Sequence, residues 1–425
     1  MGARMMQTVE MLSVVEAQQV ILSRFQPCGP EVVPLLESLG RVLAQDVFAQ
    51  DDLPPFDNSA MDGYAVRAED VSGAGYETPI VLSVVADISA GHSSEVIIGP
   101  GQAARIMTGA PLPQGADAVA PVESTDELMR SGAPLPVRVK VFQNSKYGKH
   151  VRRAGGDVRR GDRVLSAGVV IRPVEIALMA ALGMAEARVI RRPRVAVLAT
   201  GDELVQPGEP LRPGLIRNAN GWSCAAQVIH YGGVPIQLGI ARDTASDLRA
   251  KLVEGLQQAD PDLFVVSAGV SVGAYDLVKD VVRAEGELDF WRVRMRPGKP
   301  LAFGHFRGVP FFGLPGNPVS AMLTFEQFVR PAVLKLCGRT HWHKPTVQVE
   351  LAEAVTSDGR ETYARAWVQR EGDHYTARLS GAQGSNVLSA LVAANALVII
   401  PEGQTHVEAG ARVAAQMLDW PEDVL

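Results

Sequence analysis

Three things are scarce in this chain of 425 residues. The first is cysteine. Cys28, Cys224 and Cys337 are widely scattered, so they form neither a disulfide framework nor a metal-type spacing, and a reducing compartment is expected. The second is surplus positive charge: 41 Lys and Arg against 47 Asp and Glu leave 41 − 47 = −6. No basic field exists to hold nucleic acid or an anionic membrane, and any anionic ligand has to be gripped by local design. The third is a long apolar run. The longest, "VLSALVAANALVII" from Val387, is interrupted by Ser389 and Asn395 and is too short to span a bilayer. The N-terminal "MGARMMQTVEML" has no signal-peptide core. A cytoplasmic protein without nucleic-acid or membrane partners is expected.

What is present is an apolar fraction of 47%, normal for a globular chain, and room for two to four domains. Gly and Pro number 41 + 28 = 69, about one residue in six against a usual one in eight, which predicts many turns and short strands. Residues 8–25 read as an amphipathic helix with Val9, Leu12, Val15, Ile21 and Leu22 on one side. From about 45 to 150 short β-like runs follow, "PIVLSVVA", "SEVIIG" and "VRVKVF", as a β-rich insertion. A helix comes next in "PVEIALMAALG", with Pro173 at its first position and Gly183 past its end. From Arg194 strands and helices alternate for some 150 residues: "RVAVLA", a helix around "GWSCAAQVIHYGG", "PIQLGIA", a helix capped by Thr244 and Asp247, "DLFVVSAG", the helix "DLVKDVVRAEG", strands near 301–305 and 309–313, and a helix from Pro318 to about Leu336. That alternation predicts an open, mostly parallel α/β sheet. After 345 the β-like runs "TVQVELAEAV", "ETYARAWVQ", "HYTARLS" and "NALVIIP" predict a small terminal barrel or sandwich.

Open parallel sheets bind ligands at the carboxyl ends of their strands. Four unusual stretches fall at that edge: "TGDEL" (200–204), Asp243, "AGVSVGAYD" (268–276) and "LPGNPVS" (314–320). Gly269 and Gly273 allow close backbone approach at a helix start, which suits phosphate. Pro315 and Pro318 stiffen the entry to the last helix. "RMRPGKPLAFG" brings Arg294, Arg296 and Lys299 within six residues, with prolines limiting the backbone. Arginine suits a bidentate grip on oxyanions and lysine acts as a point charge. Yet Asp62, Asp202, Glu203, Asp243 and Asp276 occupy the same class of loops. Carboxylates and phosphates would repel in a partly dry cleft, and Mg²⁺ with oxygen ligands resolves the conflict. The plainer alternative is that Asp243 and Asp276 merely cap helices. Likewise "PPFDNSAMDGYAV" (54–66) is either a tight corner before a strand near Tyr64 or a rigid loop presenting Asp57, Asn58, Ser59 and Asp62 to a ligand. His341 and His343 read as surface, Cys224 as packed, and Phe290 and Trp291 as core.

These motifs resemble the molybdopterin molybdenumtransferases, the MoeA and gephyrin E-domain family. "PPFDNSAMDGYAV", "RIMTGAPLPQGADAV", "VRRAGGD", "TGDEL", "AGVSVGAYD", "RPGKPLAFG", "LPGNPVSA" and "GAQGSNVLSALVAANAL" follow one another in the family's order over nearly the whole length. The resemblance implies four domains. A scaffold domain comprises 8–44 and 145–189, and a β-rich domain, 45–144, is inserted in it. A molybdopterin-nucleotide-binding α/β domain spans 190–341 and a C-terminal β domain 342–425. It also implies an elongated homodimer whose cleft is shared between subunits, with adenylylated molybdopterin and molybdate as substrates, AMP as product and Mg²⁺ as cofactor. By the same resemblance Asp62, Thr108, Asp157, Glu203, Asp243, Asp276 and Lys299 match functional positions. Gly269, Ser271, Gly273, Arg296, Pro315, Pro318, Arg365 and Ser385 fall in the substrate grip, with Arg296, Lys299, Arg365 and Ser385 on the oxyanion. Asp202, Glu203 and Asp276 are implied on the metal. Three positions depart from the family pattern: Ala268 replaces a glycine, Ala219 a hydroxyl residue and Arg296 a lysine. Residues 190–340 alone also resemble the preceding adenylyltransferase, and the gephyrin branch adds a receptor-clustering role. The surrounding motifs favour the metal-insertion step.

Overall fold

A computed structural model describes residues 11–92, 95–127, 134–267 and 272–419, with side chains described at all of these except 272–276, 290 and 291. By packing, the chain divides into two compact units: Met1–Glu31, Gly40–Val42 and Arg188–Leu425 form the larger, and Val32–Leu39 with Leu43–Ala187 the smaller.

Helix α1, Val14–Ser23, opens the larger unit. Its start is fixed by a reciprocal cap: the Ser13 hydroxyl accepts the Glu16 N–H at 3.2 Å, and the Ser13 N–H donates to the Glu16 carboxylate at 2.8 Å. The buried stripe is Val14, Ala17 and Ile21. Val15, expected inside, is exposed, because the cap places Val14 at the first helical position and turns its neighbour outward. Residues 8–10 lie outside the described residues.

The smaller unit contains β1 (Asn58–Ser59), β2 (Gly63–Val66), β3 (Ile80–Ile88), β4 (Gln102–Ile106), β5 (Ala118–Pro121), β6 (Arg138–Val141), β7 (Val151–Arg152) and α2 (Pro173–Ala181). Five of the strands form one sheet in the order β5-β2-β4-β3-β6. β2, flanked by β5 and β4, is buried along its whole length, and a side chain on Gly63 would meet the Ala120 carbonyl at 2.1 Å. The glycine of "MDGYA" is therefore a packing necessity. The strand expected in "SEVIIG" does not form: 95–99 run as a loop whose Ile98 is buried and donates its N–H to the Gln114 carbonyl at 2.8 Å. α2 carries Pro173 at its first turn and ends before Gly183, which takes a φ of 79°.

In the larger unit the alternation continues: β8 (Arg194–Thr200), α3 (Ala219–His230), β9 (Val234–Ala241), α4 (Ala245–Ala259), β10 (Leu263–Ser267), α5 (Val272–Glu285), β11 (Gly286–Arg292), β12 (Met295–Arg296), β13 (Pro300–Phe306) and β14 (Val309–Leu314). The sheet order is β9-β8-β10-β14-β13-β11. Its first three junctions are parallel and its last two antiparallel, the expected mostly parallel sheet. β10 and the centre of β8 are buried on both faces, as a helix-covered sheet requires.

The last helix of this domain is not uniform. α6 (Pro318–Thr324) passes through a π-helical turn, Phe325–Val329, into α7 (Arg330–Leu336). Pro331 has no N–H to offer the carbonyl of Gln327, four residues back. The Gln18 side chain donates to that carbonyl instead, at 2.9 Å, so α1 supplies the donor that proline removes. Five strands then follow: β15 (Thr346–Leu351), β16 (Glu361–Glu371), β17 (His374–Leu379), β18 (Ala396–Ile400) and β19 (Arg412–Met417). Their order β16-β17-β15-β19-β18 closes through a β16–β18 pairing. The expected terminal barrel is thus a closed one, filled by Val349, Ala366, Val398 and their neighbours. Short β12 pairs in parallel with β16, Met295 opposite Glu361 and Arg296 opposite Thr362. That junction brings the cationic loop to the barrel.

Candidate functional site

Two neighbouring cavities in the larger unit are lined by five of the described candidate residues, Arg296, Lys299 and Ser385 in one and Glu203 and Pro318 in the other. The first, about 370 Å³, lies between the 296–300 loop, Ser320 on α6, the barrel residues Thr356, Arg360 and Thr362, and the segment Gln383–Ser385. Its character is cationic. Arg296 and Lys299 form no salt bridge among the described residues, although the Arg296 charge reaches Asp358 and helps hold its carboxyl low. Arg294, grouped with them in sequence, is different: it pairs with Glu402 at 2.6 Å and Glu16 at 3.6 Å. A bend at Arg294, closed by the Met295 N–H on the Val293 carbonyl at 2.9 Å, breaks the strand alternation that would put Arg294 and Arg296 on one side, and Arg294 is neutralised away from the cavity.

Arg365 stands behind the wall made by Ala364 and Gln383. It is 0% exposed, and only its Nη2 has a partner, the Ala382 carbonyl at 3.0 Å. Among the described residues Nε and Nη1 have none, and no carboxylate there forms a salt bridge with the group. Burial pulls its pKa below the usual arginine value. Gln383 ties the same residue to the cavity segment, accepting the Arg365 N–H at 2.9 Å and donating to its carbonyl at 3.1 Å. A buried, unpaired guanidinium is costly in isolation. Chemically, a guanidinium with two unpartnered nitrogens and no ion pair among the described residues is suited to an oxyanion.

The second cavity, about 260 Å³, lies where an open α/β sheet binds ligands. It is lined by Thr200 and Glu203 after β8, Asn218 and Asn220 at the start of α3, Ser267 at the end of β10, and Asn317 and Pro318 before α6. Asn218 is committed to capping α3, accepting the Gly221 N–H at 2.9 Å. Asn220 donates to the Gly316 carbonyl at 2.8 Å but its own oxygen is buried without a partner, as is the Thr200 hydroxyl. Unsatisfied amide and hydroxyl groups suit a neutral, hydrogen-bonding ring system. Gly201 has φ 153°, and a side chain there would lie 2.6 Å from the Glu203 carboxylate. The glycine lets that carboxylate fold back over the backbone at the cavity wall. The two cavities share a partition: Asn317 donates to the Ser385 hydroxyl at 3.0 Å, and the Val319 N–H to the Ser385 carbonyl at 3.2 Å.

Of the remaining candidates, Asp243 does not cap α4; Thr244 does, accepting the Asp247 N–H at 3.3 Å. One Asp243 oxygen is buried and unpartnered, while its N–H points to Asp202 at 3.4 Å. Among the described residues no three His, Cys, Asp or Glu side chains are placed to hold a metal. Gly269 and Ser271 lie outside the described residues, as does the side chain of Asp276, and Gly273 falls in the first turn of α5. Pro315 is buried directly after β14.

Asp62, Thr108 and Asp157 belong to the smaller unit. Asp62 and Thr108 meet: one carboxylate oxygen accepts the Thr108 N–H at 2.7 Å and its hydroxyl at 2.8 Å. Asp157 is exposed, with its N–H on the Leu53 carbonyl at 3.0 Å. The opening loop is braced throughout. Asp57 accepts the Ala154 N–H at 2.8 Å and the Arg153 guanidinium at 2.6 Å, and these two contacts, in that order, hold its carboxyl below the usual range. The Ser59 N–H bonds the Ala110 carbonyl at 3.0 Å. Asp57 is thus spent on rigidity, and the second Asp62 oxygen has no donor among the described residues.

Three family models cover the chain: the MoeA N-terminal region (domain I and II) matches 12–183, a probable molybdopterin binding domain 196–335, and the MoeA C-terminal region (domain IV) 348–418. The chain is 41% identical over 410 residues to molybdopterin molybdenumtransferase 2 of Mycobacterium tuberculosis, covering 95% of this chain and 98% of that one. It belongs to the molybdopterin molybdenumtransferase family. A Nostoc member is 38% identical, covering 91% of this chain and 88% of its own. The MoeA protein structure from Pyrococcus horikoshii superposes with a TM-score of 0.81 at 32% identity, covering 97% of this chain and 100% of that one.

Sequence reasoning missed several cavity residues of this family member. Ser320 was available as the last letter of "LPGNPVS", but prolines drew the attention. Thr200 and Gln383 stand inside the quoted motifs "TGDEL" and "GAQGSNVLSALVAANAL" without a charge to mark them, and Arg360 carries no local signal beyond standing next to a glycine.

Proposed function

We propose that this molybdopterin molybdenumtransferase family member inserts molybdate into adenylylated molybdopterin, releasing AMP, in molybdenum cofactor biosynthesis. The observation that carries the reading is the shared partition. A cationic cavity backed by the unpaired Arg365 adjoins, through Asn317 and Ser385, a cavity lined with unsatisfied amide and hydroxyl groups. Arg296, Lys299 and Arg365 hold the oxyanion, and Ser385, already accepting from Asn317, offers its hydroxyl hydrogen to it. Thr200 and Asn220 orient the pterin, so its sulfurs face the oxyanion across the partition. That juxtaposition makes metal transfer effectively intramolecular.

Mg²⁺ is the cofactor of this reading, held by Asp202 and Glu203 with Asp276, and it supplies charge neutralisation at the pyrophosphate. The donor set is all oxygen, and the unpartnered Asp243 oxygen beside Asp202 fits a hard cation that keeps several waters. We further propose a cytoplasmic homodimer with a cleft shared between subunits. Three unpaired thiols support the reducing compartment, and no helix among the described residues is long and apolar enough to cross a membrane.

The test is to incubate the purified protein with adenylylated molybdopterin and molybdate and to measure AMP, with and without EDTA. Molybdate-dependent AMP release that stops on chelation is expected. Adenylylation of molybdopterin from ATP instead would move the protein to the preceding step, and AMP release indifferent to EDTA would remove the magnesium.

A further inference from the structure

We propose that Arg360 is a further oxyanion-binding residue of the cationic cavity, a third guanidinium aimed by Asp358; this rests on the functional reading above. Arg360 lines the cavity, and three of its five N–H groups are accounted for. Nε donates to both Asp358 oxygens at 3.1 Å, Nη2 to Asp358 Oδ2, and Nη1 to the Met295 carbonyl at 2.8 Å. That leaves one N–H on each terminal nitrogen without a partner among the described residues. The two form the fork that binds two oxygens of a tetrahedral anion side by side.

The turn that presents this fork is rigid. Gly359 has φ 89°, and its N–H donates to the Ser357 hydroxyl at 3.2 Å. The Ser357 and Thr362 hydroxyls both reach the Arg360 carbonyl, at 3.1 and 2.9 Å. Asp358 is absent from the cavity wall, so it aims the guanidinium without placing its own oxygens against the ligand. The Met295 contact has a second effect. It anchors the residue directly before Arg296, across the junction of β12 and β16, so one side chain donates to the anion and sets the register of another that does.

The experiment is calorimetric titration of the full chain with molybdate alone, followed by AMP release at varied molybdate, for the parent, R360A, R360K and D358N. Loss of two charge-assisted hydrogen bonds predicts molybdate binding weaker by about two to four orders of magnitude in R360A. R360K keeps a point charge without the fork and is expected to lose several-fold, and D358N, which frees the fork, a similar amount. The KM for adenylylated molybdopterin should stay within about twofold in all three, which separates a local role from a general structural one. R360A binding molybdate within twofold of the parent would overturn the proposal. If R360A does not fold, R360K with unchanged affinity overturns it just as well. A parent that binds molybdate but releases no AMP would refute the functional reading while leaving the titration of Arg360 decisive.

Discussion

Arg365 offers the sharpest conflict between stability and function in this chain. With Nε and Nη1 unpartnered and the side chain fully buried, the free protein carries two unsatisfied donors, each costing about 1–3 kcal/mol. Replacing Arg365 with methionine removes both donors and keeps most of the volume. It also strips the Ala382 carbonyl of its donor, which returns about 1–3 kcal/mol. The net is a stabilisation of about 1–3 kcal/mol, and water reaching the donors from the cavity would reduce it. For a cooperative unit of this size each kcal/mol moves the melting temperature by about 2–4 °C. The same substitution deletes two charge-assisted bonds to the oxyanion, of about 1.5–3 kcal/mol each, so molybdate affinity should fall by two to four orders of magnitude. Thermal unfolding with and without molybdate measures both. R365M is expected to melt higher than the parent in the absence of ligand and to gain nothing from molybdate. A variant that melts lower when free, or that still gains stability from molybdate, would refute the reading of Arg365 as a group kept unsatisfied for its ligand.

Three further outcomes follow from the geometry. Asp57 has a depressed carboxyl pKa, so its contribution to the opening loop is present above the ordinary value near 3.8 and is lost as the pH falls through its lower folded pKa. Being 36% exposed it contributes below about 1 kcal/mol after screening, and D57N should flatten the acid limb of loop protection in hydrogen exchange below about pH 4; an unchanged limb would count against it. Gly201→Ala places a side chain at φ 153° against the Glu203 carboxylate, and should cost about 1–3 kcal/mol in urea unfolding; a variant as stable as the parent would show the wall to be loose. Burial pushes the thiols of Cys28 up to about 11 and of Cys224 and Cys337 to about 12, so at pH 8 a disulfide reagent should label none of them quickly before unfolding and three after it; rapid labelling of the native protein would contradict their burial.

How much of this was legible in the sequence depended on whether local chemistry or tertiary packing decided each feature. Strand–helix alternation after Arg194 and the glycine and proline loops are local signals, and the sheet edge they mark is where the second cavity lies. β11 was not legible, because Glu287, Asp289 and Arg292 interrupt its apolar residues and only its antiparallel pairing with β13 makes it a strand. The run 95–99 fails in the opposite way, apolar enough for a strand but held as a loop by its neighbour at Gln114. The cations show the same limit. Arg294 and Arg296 are two letters apart in one basic motif, yet one is neutralised by Glu16 and Glu402 while the other lines the cavity with no salt bridge among the described residues. Arg365 gives no sign in its strand that it will be buried alone, since whether a charge is paired depends on what the barrel places against it. Loop composition can therefore say where a ligand binds, but which charges grip it is decided by the partners that packing withholds.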